Sequence, residues 1–336
     1  MRIWLVGYGT VGQWVARALS SHARRLAEGY GVEVTVVGVA NLRDGFAYDP
    51  AGLDLARPFA APRSWPSTIE GLRATEADLL VEVSESSPAD GEPGATHMRE
   101  ALSRGIPVVT SNKWPVAHHG VELAALARSR GVAFRAESTV MSGTPVLGAL
   151  LDGLAGAVPL GVRGLLNATV NFILTRMSAG SSYADALAEA QRVGLAERDP
   201  AADVDGHDAL AKVMILSALV FGRQLRSEQV ARRGIAELTG ADLEAAAAGG
   251  ARLKHVATLE FSEPDGEGTV TARVEPEEVP GDDPLAPVEG TTNALVCRAD
   301  PVGPIMIAGP GAGLELAGQG VFSDLIRVAA SARARA

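Results

Sequence analysis

The sequence predicts an α/β fold in two parts: an open parallel sheet wound with helices, then a mixed α/β unit. Three observations predict it. Arg2-Ile-Trp-Leu-Val6 reads as a short buried strand, and Gly7-Tyr-Gly9-Thr10-Val11-Gly12 follows it and opens a helical pattern of Trp14, Val15, Ala18 and Leu19. Strand and helix patterns then alternate as far as Ala136. Pattern and composition change near Glu137, and a length of 336 residues suits two domains or one domain with a large insertion.

The glycines are the strongest local signal. A lone GxGxxG is weak, but between a strand and a helix it gains meaning. Glycines let the backbone approach a pyrophosphate, which rests on the positive end of the helix. Gly7, Gly9, Thr10, Val11 and Gly12 are thus candidate dinucleotide contacts in a Rossmann domain. A tight strand–helix turn without ligand is the bland alternative.

Val32 to Ala40 reads as the second strand and ends Ala40-Asn41-Leu42-Arg43. A dinucleotide-binding strand of this kind usually ends near an acid that holds the ribose 2′-hydroxyl. No acid precedes Asp44 here, and Arg43 suits a 2′-phosphate, so NADP is expected to be preferred over NAD. A charge-assisted contact of about 1.5–3 kcal/mol corresponds to a preference of roughly ten- to a hundredfold. Arg43 as a solvated loop residue is the alternative.

Residues 44–75 are rich in Pro, Gly and Asp and read as a long surface connection with short strands. Asp78 to Val83 reads as a strand ending at Ser84, Gly94 to Arg104 as a helix, and Ile106 to Val109 as a strand ending in Thr110-Ser-Asn-Lys113. In such a sheet ligands collect beyond the carboxyl ends of strands, so Ser84 and Lys113 are placed facing the cofactor cleft. Val121 to Arg130 reads as a helix and Val132 to Ala136 as a strand. Glu137 to Pro145 is a polar turn before a helix from Val146 to Leu154. Arg163 to Asn167 suits a strand, while Phe172 to Met177 and Tyr183 to Val193 have helical spacing. Leu243 to His255 is expected to be helical, with strands near Thr258–Phe261, Val270–Val274 and Ala294–Cys297. Ile305 to Ala308 is a strand before the turn Gly309-Pro-Gly-Ala-Gly313, and Val321 to Ala329 is a closing helix.

Gly194 to Lys212 carries the chemistry. Five carboxylates stand there, Glu197, Asp199, Asp203, Asp205 and Asp208, followed by Lys212 and an apolar run. Asp205 is expected to cap a helix, with Asp208 in its first turn. Asp208 and Lys212 are then i and i+4, on one face. The helix beyond is apolar all round, which predicts burial. A lysine opening a buried helix needs a carboxylate or a ligand. A calcium loop is excluded, because Ala201 and Lys212 would stand where carboxylates are required. An exposed helix pair worth about 0.3–0.5 kcal/mol remains the plain alternative. Crowded carboxylates favour a cationic guest instead, such as a substrate ammonium.

The basic residues add to this. Of 30 Lys plus Arg, only Lys113, Lys212 and Lys254 are lysines. Arginine serves as the general surface cation, so a retained lysine suits a place where a proton must be transferred. A formal net charge of −10 without basic runs argues against nucleic acid as a partner. The single cysteine, Cys297, excludes an internal disulfide and a cysteine-rich metal site. With no signal peptide and no apolar run long enough to span a bilayer, a soluble cytoplasmic protein without a membrane partner is expected.

Taken together the segments resemble the homoserine dehydrogenase family, in a short form without a regulatory tail. The likeness rests on GYGTVG, Thr110 to Lys113, Glu137 to Pro145, Leu166-Asn-Ala-Thr-Val-Asn171, Gly194 to Lys212, Gly290-Thr-Thr-Asn293 and GPGAG, and covers almost the whole chain. It implies an inserted mixed α/β catalytic and dimerisation domain, with residues 1–136 plus 303–336 forming the NAD(P)-binding domain and 137–302 the insertion. It implies reversible reduction of L-aspartate 4-semialdehyde to L-homoserine by a homodimer. Lys212 would be the acid/base, with Lys113 between cofactor and substrate. Glu197, Asp203, Asp208 and Thr169 would line the substrate site, and Gly290 would lie near the cofactor. Glu137 and the carbonyls of Val140, Ser142 and Thr144 would match a monovalent-cation loop, usually sodium. The chain departs from the family at Leu195, where tyrosine is common, at Ala168-Thr169-Val170, and at Met141-Ser142, where small residues are usual. These departures keep open a relative acting on another small amino-aldehyde or keto acid. Retention of both lysines weighs against a non-catalytic NAD(P)-binding sensor.

Overall fold

The computed structural model describes residues 1–262 and 269–333, and the chain divides into two compact units, Met1–Gly143 with Gly313–Ala336, and Thr144–Ala312. The first unit is built on a seven-stranded sheet. Its strands are β1 (Arg2–Val6), β2 (Thr35–Asn41), β3 (Gly45–Tyr48), β4 (Arg63–Trp65), β5 (Leu79–Glu82), β6 (Val108–Thr110) and β7 (Phe134–Arg135). The order is β4-β3-β2-β1-β5-β6-β7, parallel from β2 to β7 and antiparallel at β3 and β4.

Strand β1 is apolar from Ile3 to Val6 because both of its faces are covered there. Ile3 and Leu5 pack with Val15 and Leu19 of the helix Thr10–Ser21, and with Val321, Phe322 and Leu325. Trp4 and Val6 pack on the other side with Phe46, Leu72, Met98, Leu102 and Leu123. The closing helix is longer than its apolar pattern suggested, Leu314–Arg333, and Gly318 lets it approach Trp14, whose ring atoms a Cβ would meet at 2.3 Å.

Residues 44–75 hold the expected short strands, β3 and β4, and a surface connection from 49 to 67 in which only Pro58 is buried; the helix Thr68–Ala74 was not expected, nor that all four residues of β3 are buried. A four-residue strand is too short to show a period, and Phe46 and Tyr48 are in the core because β3 extends the sheet antiparallel to β2.

The strand ends are level. Val6 pairs with Ala40 and with Glu82, and Glu82 pairs with Thr110. The segments that follow, at Gly7, Leu42, Val83 and Ser111, therefore leave their strands along one edge of the sheet.

The second unit has a six-stranded sheet of order β13-β12-β8-β10-β11-β9. Its strands are β8 (Val158–Leu165), β9 (Val230–Arg232), β10 (Ala251–Phe261), β11 (Val270–Pro280), β12 (Thr292–Asp300) and β13 (Gly303–Pro310). All pairs are antiparallel except β11 with β9. Strand β13 pairs with β12 over its whole length, so residues 303–310 stand in this sheet, although the sequence reading grouped them with the first domain.

Two further expectations are corrected. Leu243 to His255 is not one helix: the helix is Gly240–Ala248, and Lys254 and His255 lie in β10. Gly250 takes φ 78, a left-handed turn that lets the chain double back into the strand. Asp205 does not cap the next helix. Gly206, at φ 81, is the N-cap, and the helix runs His207–Val220. Its length from Ala209 to Ala218 is buried, as an apolar surface on all sides requires.

Candidate active site

In the second unit, Lys212 enters the helix His207–Val220 one turn after Asp208. It is 6% exposed, and its Nζ donates to the Leu166 carbonyl at 2.5 Å and to Asp208 Oδ2 at 2.7 Å. Burial removes the water that would make an exposed pair weak, so the plain surface pair does not apply.

Asn167 completes the cluster. Its Nδ2 donates to Asp203 Oδ1 at 2.7 Å and to Asp208 Oδ2 at 2.9 Å, tying the two carboxylates together. Its Oδ1 accepts from the Val170 amide at 2.8 Å and so caps the helix Ala168–Ser178. Asn167 was quoted in the sequence only as part of a motif; its sole local sign is an amide residue before a helical run. Thr169 donates to the Leu195 carbonyl at 2.9 Å. Burial raises the Asp203 carboxyl above its ordinary range and Asp208 adds to this, against the opposing Asn167, Thr169 and Lys212. Two acids held together beside an ammonium form a site with excess negative charge, suited to a cationic group.

The other carboxylates of the segment lie apart. Glu197 is exposed, and its backbone carbonyl, not its carboxylate, is engaged, by Gln191 at 3.0 Å. Asp199 accepts from the Ala201 amide at 3.1 Å and closes a turn. Gly290, at φ 64, donates its amide to Thr175 Oγ at 3.0 Å.

The first unit carries the glycine loop. Gly7 has φ 100, and a Cβ there would stand 2.4 Å from the Ser84 nitrogen. A Cβ on Gly12 would stand 2.0 Å from the Gly7 oxygen. Gly9 differs: it is exposed, and a Cβ there would meet nothing within 4 Å. Gly9 is the N-cap of Thr10–Ser21 without a side-chain cap, and no acid stands in that first turn. Its first amides thus lack an anionic side chain of their own and face the open space at Gly9, which fits a pyrophosphate.

At the same edge, Ser84 Oγ donates to buried Glu82, and Lys113 is the first residue of the helix Lys113–Arg130, with Asn112 as N-cap. The turn after β2 is held from inside. Asn41 Oδ1 accepts from the amides of Arg43 at 2.9 Å and Asp44 at 2.6 Å, while its Nδ2 donates to Asp44 Oδ2 at 2.9 Å. Leu42 is 85% exposed and Arg43 is exposed beside it.

Glu137 is 2% exposed; its amide donates to Asp324 Oδ2 at 2.8 Å and its Oε2 accepts from Arg327 at 3.2 Å. Met141 and Ser142 take φ 58 and 55, the left-handed region that glycine enters most easily. Val140 and Ser142 belong to the first unit and Thr144 opens the second. Among the described residues no group of three His, Cys, Asp or Glu is placed to hold a metal ion.

A nucleotide cradle and a buried lysine–carboxylate cluster in one chain define an NAD(P)-dependent oxidoreductase. Comparison with known proteins makes this particular. Residues 7–137 match the family model for the NAD binding domain of homoserine dehydrogenase, and residues 145–326 match the homoserine dehydrogenase model. The chain is 37% identical to an NAD(+)-dependent homoserine dehydrogenase of Pseudomonas canavaninivorans, over 98% of this chain and 96% of that protein. It superposes on a homoserine dehydrogenase from Thiobacillus denitrificans with TM-score 0.83 and 33% identity, over 99% of this chain and 74% of that one. A hyperthermophilic archaeal homoserine dehydrogenase in complex with NADPH gives TM-score 0.79 and 32% identity, over 97% of each chain. The chain belongs to the homoserine dehydrogenase family.

Proposed function

We propose that this chain catalyses the reversible, NAD(P)H-dependent reduction of L-aspartate 4-semialdehyde to L-homoserine, the first unit holding the cofactor and the second the substrate. The observation that carries it is the Lys212–Asp208–Asn167–Asp203 cluster. The substrate ammonium suits the paired carboxylates. A dinucleotide held at the Gly7 to Gly12 loop would supply the hydride that the aldehyde carbon needs. The oxygen that thereby becomes an alkoxide must gain a proton, and the Lys212 ammonium gives it. Asp208 holds that ammonium in place, and Asn167 keeps Asp208 and Asp203 from separating. Thr169 fixes the Leu195 backbone at the edge of the cluster. By family likeness Lys113, the first residue of its helix at the sheet edge, is assigned a place between cofactor and substrate, and Gly290 a place near the cofactor. Glu197 is assigned to the substrate side by family likeness alone, because its carboxylate is exposed. Glu137 and the carbonyls of Val140, Ser142 and Thr144 are hard oxygen donors that suit sodium; the left-handed Met141 and Ser142 account for small residues being usual there.

Oxidation of NADPH on addition of aspartate semialdehyde tests the reaction, with other small aldehydes as controls. A better rate with any control than with aspartate semialdehyde would transfer the assignment to another aldehyde. The same assay reads cofactor choice. Asn41 is engaged within its turn, which leaves Arg43 as the residue to meet a 2′-phosphate, and Asp44 opposes it from the next position. One charge-assisted contact against that acid gives a preference for NADPH of about tenfold. Arg43→Ala should raise the KM for NADPH and leave that for NADH nearly unchanged. Equal losses for both cofactors, or a parent preference for NADH, would reduce Arg43 to a solvated residue.

The second unit is also proposed to form a homodimer. Its edge strand β13 and the turn before it expose apolar side chains, Met306 at 39% and Val302 at 53%. Sedimentation at micromolar concentration should show a dimer; a monomer there counts against it.

A further inference from the structure

Glu82, at the end of β5, is fully buried, yet no part of the reaction above uses it. Three side chains converge on its carboxylate. Ser84 Oγ donates to Oε1, Asn112 Nδ2 donates to Oε2 at 3.0 Å, and His97 Nδ1 lies 3.6 Å from Oε1 without a hydrogen bond. Asn112 Nδ2 also reaches Ser86 Oγ at 2.7 Å, and Ser86 Oγ accepts from the Gly94 amide at 3.1 Å. The backbone joins in: Thr110 Oγ1 donates to the Glu82 carbonyl at 2.7 Å and accepts from the Asn112 amide at 2.9 Å. Gly94 has no Cβ because one would stand 2.6 Å from Ser86 Oγ and 2.7 Å from Asn112 Nδ2.

Stability alone does not call for such a group. Replacing buried charge with well-packed apolar side chains is often neutral or stabilising. What the carboxylate does is fix geometry at the edge where ligands collect. The peptide just after it, Val83–Ser84, is the wall against which Gly7 packs. Asn112, which it holds, is the N-cap of the helix whose first residue is Lys113.

We propose that Glu82 is a positioning residue: its buried carboxylate locks Ser84 and Asn112 together, and so sets the cofactor-facing serine and the start of the Lys113 helix in one register. The proposal rests on the assignment of Ser84 and Lys113 given above.

A reciprocal exchange tests it. Glu82→Gln leaves one acceptor oxygen for two donors, so the contact to Asn112 or the contact to Ser84 loses its present sense. Asn112→Asp alone sets two carboxylates face to face. In the double variant the amide introduced at position 82 donates to the carboxylate introduced at position 112. The side-chain carbonyl at 82 still accepts from Ser84, and Ser86 donates to the new carboxylate. Each single variant should lower kcat/KM for NADPH by about tenfold or more, through both kcat and KM, while melting cooperatively. The double should return to within about threefold of the parent, because coupled neighbours do not add. Losses in the double that equal the product of the singles would overturn the proposal. So would a Glu82→Gln protein with a lowered Tm but unchanged kcat and NADPH affinity, the mark of a structural role. If both singles fail to fold, the double decides: folded and active supports the proposal, folded and inactive overturns it. NADPH affinity, read by fluorescence, keeps the test separate from the proposed reaction. A parent that binds NADPH but ignores aspartate semialdehyde fails that reaction only, and the Glu82 effect on affinity still reads out.

Discussion

Lys212→Arg is expected to abolish turnover while leaving NADPH binding almost intact. The native ammonium sits between two acceptors at 2.5 and 2.7 Å and is 6% exposed. Arginine keeps the positive charge and so keeps the Asp208 carboxylate paired, but it does not release a proton near neutral pH. Its planar fork is also larger than the space between the Leu166 carbonyl and Asp208 accommodates without displacement. A fall in kcat of about 10²–10⁴-fold is the usual measure of a lost general acid. Steady-state kinetics beside an NADPH titration make the check. A variant that kept more than about a tenth of the parent kcat would remove the proton-donor role from Lys212, and Lys113 would be the next candidate.

The glycine loop gives the second large effect, and two alanines separate its causes. In Gly12→Ala the new methyl would stand 2.0 Å from the Gly7 carbonyl, a backbone atom that cannot turn aside. The loop must deform, so both Tm and NADPH binding should fall, the latter by about a hundredfold or more. In Gly9→Ala the methyl meets no protein atom within 4 Å, so the protein should fold with an unchanged Tm. It should still bind NADPH more weakly, because the methyl enters the space at the helix start where a pyrophosphate would rest. Thermal melts and fluorescence titrations of the two variants read this directly. Full-strength NADPH binding by Gly9→Ala would move the pyrophosphate away from this turn.

What was legible in the sequence depended on reach along the chain. The glycine loop was legible because Gly7 answers to the strand beside it and Gly12 to Gly7, close in sequence, while Gly9 opens the helix between them. The Asp208–Lys212 pair was legible because a helix places i and i+4 side by side whatever surrounds it. Asn167 was not, because its two acids lie 36 and 41 positions away. Glu197 shows the converse. It is near Asp203 in sequence, but the turn closed by Asp199 separates it from the short helix Ala201–Val204 that carries Asp203. The segment 249–255 misled for another reason: only the paired glycines at 249 and 250 mark the change from helix to strand. Glu82 reads as one more residue of a strand; its partner Asn112, 30 positions on, meets it only once β5 and β6 are in register.

The turn after β2 also bears on how such a protein can change over generations. Its framework is held from within by Asn41 and by two strands of the core, while Leu42 and Arg43 point away from it. Surface substitutions of this kind usually move stability by no more than about 0.5 kcal/mol. If Arg43 meets the 2′-phosphate as proposed, a lineage can drift between the two coenzymes through single codon changes at the tip of one hairpin, with the scaffold blind to the exchange. The substrate side has no such freedom, since Lys212, Asp208, Asn167 and Asp203 hold one another and a change in any one strands the rest. On these proposed assignments coenzyme choice is the part that selection can revise cheaply, and the interlocked lysine–carboxylate cluster is the part it inherits whole.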